Sequence, residues 1–273
     1  MTMLSTIAVL GAGTMGGAII DGLLQRGETA DSIRATNRTE AKAAPLRSEN
    51  VESFALETQP DANLLAVKDA AVVIIGVKPA MVPDLLREIA PVLSSGAIVI
   101  SIAAGVTTAT MEAIVPNVVI RAMPNTPALV GAGVTGVSAG SRGSAVDMAV
   151  AHTLFGSVGM VLEVPESKID ALSAISGSGP AYVFYLIEEL TKTAVGLGFS
   201  DQEAMIMVNG TFAGSTELLL SGDLDPTELR RRVTSPNGTT ERAVAELQKA
   251  GISVIFDRAT GAALARAKEL AAG

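Results

Sequence analysis

One short stretch constrains the fold of this chain more than any other: Thr6-Ile7-Ala8-Val9-Leu10 followed by Gly11-Ala12-Gly13-Thr14-Met15-Gly16-Gly17. Thr6 to Leu10 is an apolar run of strand length, and Ala18 to Leu24 repeats its apolar residues at helical spacing. The glycines therefore sit where a buried strand turns directly into a helix. At such a turn each glycine has its own work. Gly11 makes the tight bend, Gly13 lets a pyrophosphate approach the backbone, and Gly16 lets helix and strand pack closely, so that the helix N-terminus faces the phosphates. Taken alone, the spacing is also that of a loop that serves packing only. What separates the two readings is whether the following residues build the rest of a dinucleotide-binding sheet.

They do. Ile33 to Thr36 reads as a second strand, Thr39 to Arg47 as a polar helix, and Ala71 to Val77 as a strand apolar on both faces, as a central parallel strand must be. Pro79 to Val92 reads as a helix, Ala97 to Ile102 as a strand, Thr107 to Ile114 as a short helix and Val118 to Ala122 as a strand. Val134 to Ala139 and Met160 to Val164 add two more strands around a helix from about Ser144 to Phe155. Strands alternating with helices imply an α/β fold, a doubly wound parallel sheet of the Rossmann type. Beyond Pro165 no strand pattern follows and helical periodicity runs to the C-terminus, so the boundary is placed there. Residues 1–164 form the dinucleotide-binding domain and residues 165–273 an all-α domain. Ala181 to Val195 is apolar nearly all round, and Ala204 to Leu220 carries Gly210, Ala213 and Gly214. Helices of this kind need neighbours on several sides. The C-terminal domain is therefore expected to form a subunit interface, a monomeric bundle being the plainer alternative.

Composition narrows the chemistry. A net charge of −8 with 3% aromatic residues gives neither the basic surface nor the stacking rings that nucleic-acid binding uses. The chain has no cysteine and a single histidine, His152, which removes thiolate chemistry and the usual zinc sites, and no metal is expected. The longest strongly apolar run, Ala70 to Val77, is far short of the roughly 20 residues of a membrane helix. No basic or cleavable leader precedes the first strand, so the expectation is a cytoplasmic protein with no membrane partner.

The end of the second strand addresses the choice of cofactor. An NAD site usually carries Asp or Glu there, about 20 residues past the glycines, to accept hydrogen bonds from the ribose hydroxyls. This chain has Thr36-Asn37-Arg38-Thr39 instead. A carboxylate would repel a 2′-phosphate, whereas Asn37, Arg38 and Thr39 supply donors and one positive charge, which favours NADP(H) with NAD(H) as the alternative. Arg38 could equally solvate the first turn of the next helix.

Further segments carry polar or glycine-rich turns at element ends. Val77-Lys78-Pro79 ends one parallel strand, and Arg121-Ala122-Met123-Pro124-Asn125-Thr126-Pro127 ends another, both at the carboxyl edge where ligands bind in such sheets. Ser176-Gly177-Ser178-Gly179-Pro180 opens the long apolar helix, and Val233-Thr234-Ser235-Pro236-Asn237-Gly238-Thr239-Thr240 opens another; glycines and hydroxyls at helix N-termini suit an anion. Together with Val9 to Gly16, these segments resemble, in order and over essentially the whole chain, the pyrroline-5-carboxylate reductase family. One position departs from it: the family usually has glycine where Asn237 stands, and asparagine tolerates a left-handed backbone best among side chains.

That resemblance implies reduction of the cyclic imine 1-pyrroline-5-carboxylate to L-proline by NAD(P)H, the last step of proline biosynthesis. It also implies a homodimer through the C-terminal helices and further assembly into a decamer. The glycine turn Gly11, Ala12, Gly13, Thr14, Met15 and Gly16, with Asn37, Arg38, Val77, Lys78, Pro79 and Asn125, would surround the dinucleotide. Asn63, on its own an ordinary helix cap, falls where the family has an asparagine reaching the cofactor, and the Ala104 and Gly105 backbone would line the nicotinamide pocket. Ser176, Ser235, Gly238, Thr239 and Thr240 would hold the substrate carboxylate, with Thr240 beside the imine nitrogen. A threonine hydroxyl is a poor acid, so its part is to orient and polarise an iminium or relay a proton from water. Two rival readings remain at this point. A β-hydroxyacid dehydrogenase would need a catalytic lysine where this chain has Val183, and a non-enzymatic NADP(H)-binding protein would have no use for the Ser235 to Thr240 segment. His152 lies on a helix away from all of these motifs.

Overall fold

A computed structural model describes residues 4–26 and 30–272, so residues 1–3, on which the expectation of no leader rests, lie outside it. Its centre is one sheet of eight strands in the order β3-β2-β1-β4-β5-β6-β7-β8. These are β1 Leu4–Leu10, β2 Ala30–Asn37, β3 Val51–Ala55, β4 Val72–Ile75, β5 Ile98–Ser101, β6 Val118–Met123, β7 Gly133–Ala139 and β8 Gly159–Glu163. Every pairing is parallel except β6 with β7. The exception has a simple cause. Pro124 to Ala132 is too short for a parallel crossover, which takes a dozen residues or more, so the chain turns back on itself.

The strands are apolar because they are covered on both sides. In β4, Val72 and Ile74 belong to one core cluster and Val73 and Ile75 to the other. The first cluster packs under α1 (Thr14–Arg26), through Ile19, Ile20 and Leu23. The second lies under α3 (Ala62–Val67), through Ala66 and Val67. The short α2 (Glu40–Ala43) follows β2. On the second side lie also α4 (Val82–Ile89), with Leu85, Leu86 and Ile89 inward, and α5 (Thr108–Glu112), with Met111 inward; on the first lies α6 (Ala145–Gly156), with Leu154 and Phe155 inward. Between β2 and β4 the structure departs from the sequence reading. The polar helix expected over Thr39 to Arg47 is only α2 followed by a 3₁₀ turn, Ala44–Leu46, and β3 and α3 occupy a stretch read without regular structure.

Contacts divide the chain into two compact units, residues 1–178 with 263–273, and residues 179–262. The first unit also contains α7 (Ile169–Leu172) and a π-helical turn, Ser173–Gly177. The second is helical throughout: α8 (Gly179–Gly196), α9 (Asp201–Leu220), α10 (Pro226–Arg232), α11 (Thr239–Lys249) and the start of α12 (Ile252–Ala272). The α9 N-terminus is closed by a capping box between Ser200 and Glu203, and that of α10 by the Asp225 carboxylate. No helix among the described residues is long and apolar enough to cross a membrane.

Candidate active site

Strand order fixes where a ligand can enter the sheet. β1 lies between β2 and β4, and its last residue, Leu10, is in register with Thr36 on one side and Ile75 on the other. The loops after these three strands therefore meet at one switch point, the crevice where ligands bind in doubly wound sheets. The Gly11 N–H donates to the Thr36 carbonyl (3.0 Å) and hydroxyl (3.3 Å), and the Ala12 N–H donates to the same carbonyl (2.9 Å). Gly11 has φ +78°, and a Cβ there would lie 2.7 Å from Val77 Cγ1, so both conformation and space exclude a side chain. A Cβ on Gly16 would lie 3.1 Å from Val9 Cγ1, so its absence lets α1 pack on β1. A Cβ on Gly13 would meet nothing within 4 Å; its flank is open. The left-handed turn at Gly11, the open flank at Gly13 and the start of α1 just beyond fit a dinucleotide pyrophosphate.

A cleft of about 820 Å³ runs from this turn. Gly11, Gly13, Asn37, Arg38, Asn63, Val77 and Lys78 line it, as the sequence reading expected of cofactor contacts. Ala12, Thr14, Met15, Gly16, Pro79, Ala104, Gly105 and Asn125 are not among its lining residues. Asn63 is the second residue of α3, not its cap, and is buried. Its Oδ1 accepts from the Thr36 hydroxyl (2.8 Å) and its Nδ2 donates to the Glu88 carboxylate (3.2 Å). Asn125 is also buried, and both ends of its amide are engaged: Nδ2 donates to the Ser176 carbonyl (2.9 Å) and Oδ1 accepts from the Val134 N–H (2.8 Å).

Sequence reasoning missed Lys42, Met81, Asp84 and Glu88. Asp84 and Glu88 are one helical turn apart on α4, opposite the buried Leu85, Leu86 and Ile89, a spacing visible in the sequence. Nothing in it says that the polar face of α4 looks into a cleft rather than into bulk water. Arg38 and Lys78 are exposed at the rim, and with Lys42 they set three cations against those two carboxylates.

The second group of residues belongs to the helical unit. Gly238 is the N-cap of α11 with an extended backbone and no side-chain cap, so the first turn presents Thr239 and Thr240 with uncapped N–H groups. Asn237 has φ +60°, the left-handed conformation expected for a position that the family usually fills with glycine. Its N–H donates to the Glu241 carboxylate (2.8 Å), which folds the loop back onto the helix. Ser235, Thr239 and Thr240 are exposed. Ser176 lies apart from these in sequence, in the first unit, within the π turn, and its hydroxyl donates to the Leu172 carbonyl (3.1 Å). His152, on α6, is half-exposed, lies 3.6 Å from the Glu163 carboxylate, and is not among the residues that line the cleft.

A family model described as pyrroline-5-carboxylate reductase dimerisation matches residues 166–270, and one described as NADP oxidoreductase coenzyme F420-dependent matches residues 6–105. Pyrroline-5-carboxylate reductase from Pseudomonas aeruginosa is 40% identical over 97% of this chain and 96% of its own. The enzyme of that name from Corynebacterium melassecola is 39% identical over 98% and 99%. The chain belongs to the pyrroline-5-carboxylate reductase family. Among solved structures, the pyrroline-5-carboxylate reductase of Coxiella burnetii superposes with a TM-score of 0.89 at 33% identity, covering 98% of each chain. The pyrroline carboxylate reductase of Plasmodium falciparum, solved with NADP bound, does so with 0.82 at 27%, covering 98% of this chain and 99% of that one. Family membership makes the protein an NAD(P)H-dependent oxidoreductase. The all-helical segment past Pro165 is the family's dimerisation region.

Proposed function

We propose that this protein reduces 1-pyrroline-5-carboxylate to L-proline with NADPH, as a cytoplasmic homodimer joined through its C-terminal helices that assembles further into a decamer. The observation that carries the reading is the pair of anion-ready helix starts, one at the Gly11 to Gly16 turn and one, without a side-chain cap, at Gly238-Thr239-Thr240. A dinucleotide-binding protein that did no chemistry would need only the first.

In this proposal the turn and the α1 N-terminus hold the pyrophosphate. Asn37, Arg38 and Thr39 receive the 2′-phosphate, and Asn63, held between Thr36 and Glu88, lines the cofactor cleft. The bound reduced nicotinamide supplies the hydride. The substrate is a ring carboxylate, and the N–H groups of the first turn of α11, with the Ser235 and Thr239 hydroxyls, provide a cradle for it without arginine. As hydride reaches the imine carbon, electron density moves onto the nitrogen. The Thr240 hydroxyl orients and polarises that nitrogen in its protonated form or relays a proton to it from water. Ser176 contributes at the entry to α8. Most of the rate comes from holding ring and nicotinamide in register, which is worth about 7 kcal/mol or more in well-oriented systems. The domain division is proposed as residues 1–164 for the cofactor and 165–273 for dimerisation and substrate.

The test is direct. Purified protein mixed with NADPH and pyrroline-5-carboxylate should consume the reduced nicotinamide and yield proline one for one. Absence of turnover with either NADPH or NADH refutes the reading.

A further inference from the structure

Outside the dinucleotide cleft, the first unit contains a second set of buried polar groups. Arg121, near the end of β6, has a side chain only 4% exposed, and its guanidinium lies 2.5 Å from Asp170 Oδ1 and 3.6 Å from Glu166 Oε1. The Glu166 carboxylate also accepts from the Thr108 N–H (2.7 Å) and hydroxyl (2.5 Å). Just past the end of the same strand, Asn125 joins the Ser176 carbonyl to the Val134 N–H. One strand end thus fixes α5, β7 and the run from Glu166 to Ser176.

The Ser176 carbonyl has a particular need of that amide. In a helix it would receive the N–H four residues on, but that residue is Pro180, which has none. The turn is already displaced from α-helical geometry, with the Ser178 N–H donating to the Ser173 carbonyl (2.8 Å). It is also tight: a Cβ on Gly177 would lie 2.8 Å from Ser173 Oγ and 3.4 Å from Met123 Cε. Asn125 Nδ2 supplies the donor that the sequence withholds.

We infer that Asn125 is a positioning residue for the reductase reaction, acting through the Ser176 turn that leads into α8 and not by touching the dinucleotide. Arg121 serves the same turn from one step upstream by holding Asp170 and Glu166. The inference rests on the proposed reading in which Ser176 borders the substrate.

Two variants test it, measured beside wild-type protein whose turnover is established first. Asn125→Ala removes both hydrogen bonds. It should lower kcat by about tenfold or more while the Kd for NADPH stays within about twofold, since neither bond bears on the cleft. Asn125→Asp keeps the shape and still accepts from Val134. Its ionised carboxylate has no proton for the Ser176 carbonyl and repels it, whereas the protonated form can donate. Its kcat relative to wild type should therefore be low at alkaline pH and recover as pH falls through the carboxyl's pKa. A group with only a structural role would not give this profile. Wild-type kcat in Asn125→Ala, a loss of NADPH affinity in step with kcat, or a pH-independent ratio in Asn125→Asp would each overturn the inference. If Asn125→Ala does not fold, the pH profile of Asn125→Asp decides. Wild-type protein without turnover would instead remove the functional reading, and the inference with it.

Discussion

The two units solve the problem of burying apolar surface in opposite ways. In the sheet unit every residue of β4 and β5 is buried, and among the described residues the Ser53 hydroxyl is the one buried side-chain polar atom without a partner. In the helical unit, Phe184 is 65% exposed and Ile206 67%, and the apolar residues buried along α8 and α9 are only Ala194, Ala204 and Val208. Fully burying one such side chain stabilises by about 1.5–3 kcal/mol, so the faces of α8 and α9 leave a large driving force unused within one chain. The sheet unit buries its central strands within one chain, and the helical unit leaves most of the apolar faces of α8 and α9 uncovered. Its match to a dimerisation family says what covers them: a second copy.

This contrast can be broken at its strongest point. A charge placed on the exposed apolar face, Phe184→Asp, should weaken self-association by about 3 kcal/mol, more than a hundredfold in dissociation constant, while NADPH binding to the sheet unit stays near wild type. Light scattering and a cofactor titration on the same sample check both halves. A dimer of unchanged affinity would show that this face is not the interface.

A smaller effect sharpens the account of the sheet unit. Arg38→Ala removes the rim cation proposed to face the 2′-phosphate and should raise the Kd for NADPH about tenfold and that for NADH less than twofold. Equal loss of both would assign Arg38 to solvation alone.

The smallest effect concerns the helical unit's own electrostatics. Hydrogen bonds from Arg231 and then Arg232 hold the Glu228 carboxyl at about 2, below its ordinary 4.5. A carboxyl whose pKa is lowered by folding stabilises the fold above its unfolded pKa and loses that contribution as pH falls through the folded one. Glu228→Gln should therefore melt slightly below wild type above about pH 4.5, with the gap closing toward pH 2. Because these groups are exposed, the gap should shrink in high salt. Melting curves across that range check it.

Much of the sheet unit was legible in the sequence because its signals are local. The Leu10 to Gly16 turn and the doubly apolar β4 each follow from residues adjacent in the chain. β3 escaped because Val51-Glu-Ser-Phe-Ala is short and half polar, as an edge strand should be, and its pairing with β2 is not written nearby. The antiparallel turn between β6 and β7 was readable from loop length but was hidden by the regular alternation on either side. In the cleft, the glycines and Asn37-Arg38 carried their own chemical signature. Asp84 and Glu88 did not, because a polar helix face acquires a function only from what it is packed beside. Asn125 sits in a segment that resembles a ligand-binding loop, yet its amide is taken up by Ser176 and Val134, partners 51 and 9 residues away in sequence.

The division of labour between the units is tested most directly by Thr240→Ala, assayed for turnover and, by fluorescence titration, for NADPH binding. Turnover should fall by about a hundredfold, in the range of a positioned proton-handling group, with the Kd for NADPH unchanged. Full activity in that variant would contradict the account, and so would a matching collapse of NADPH affinity.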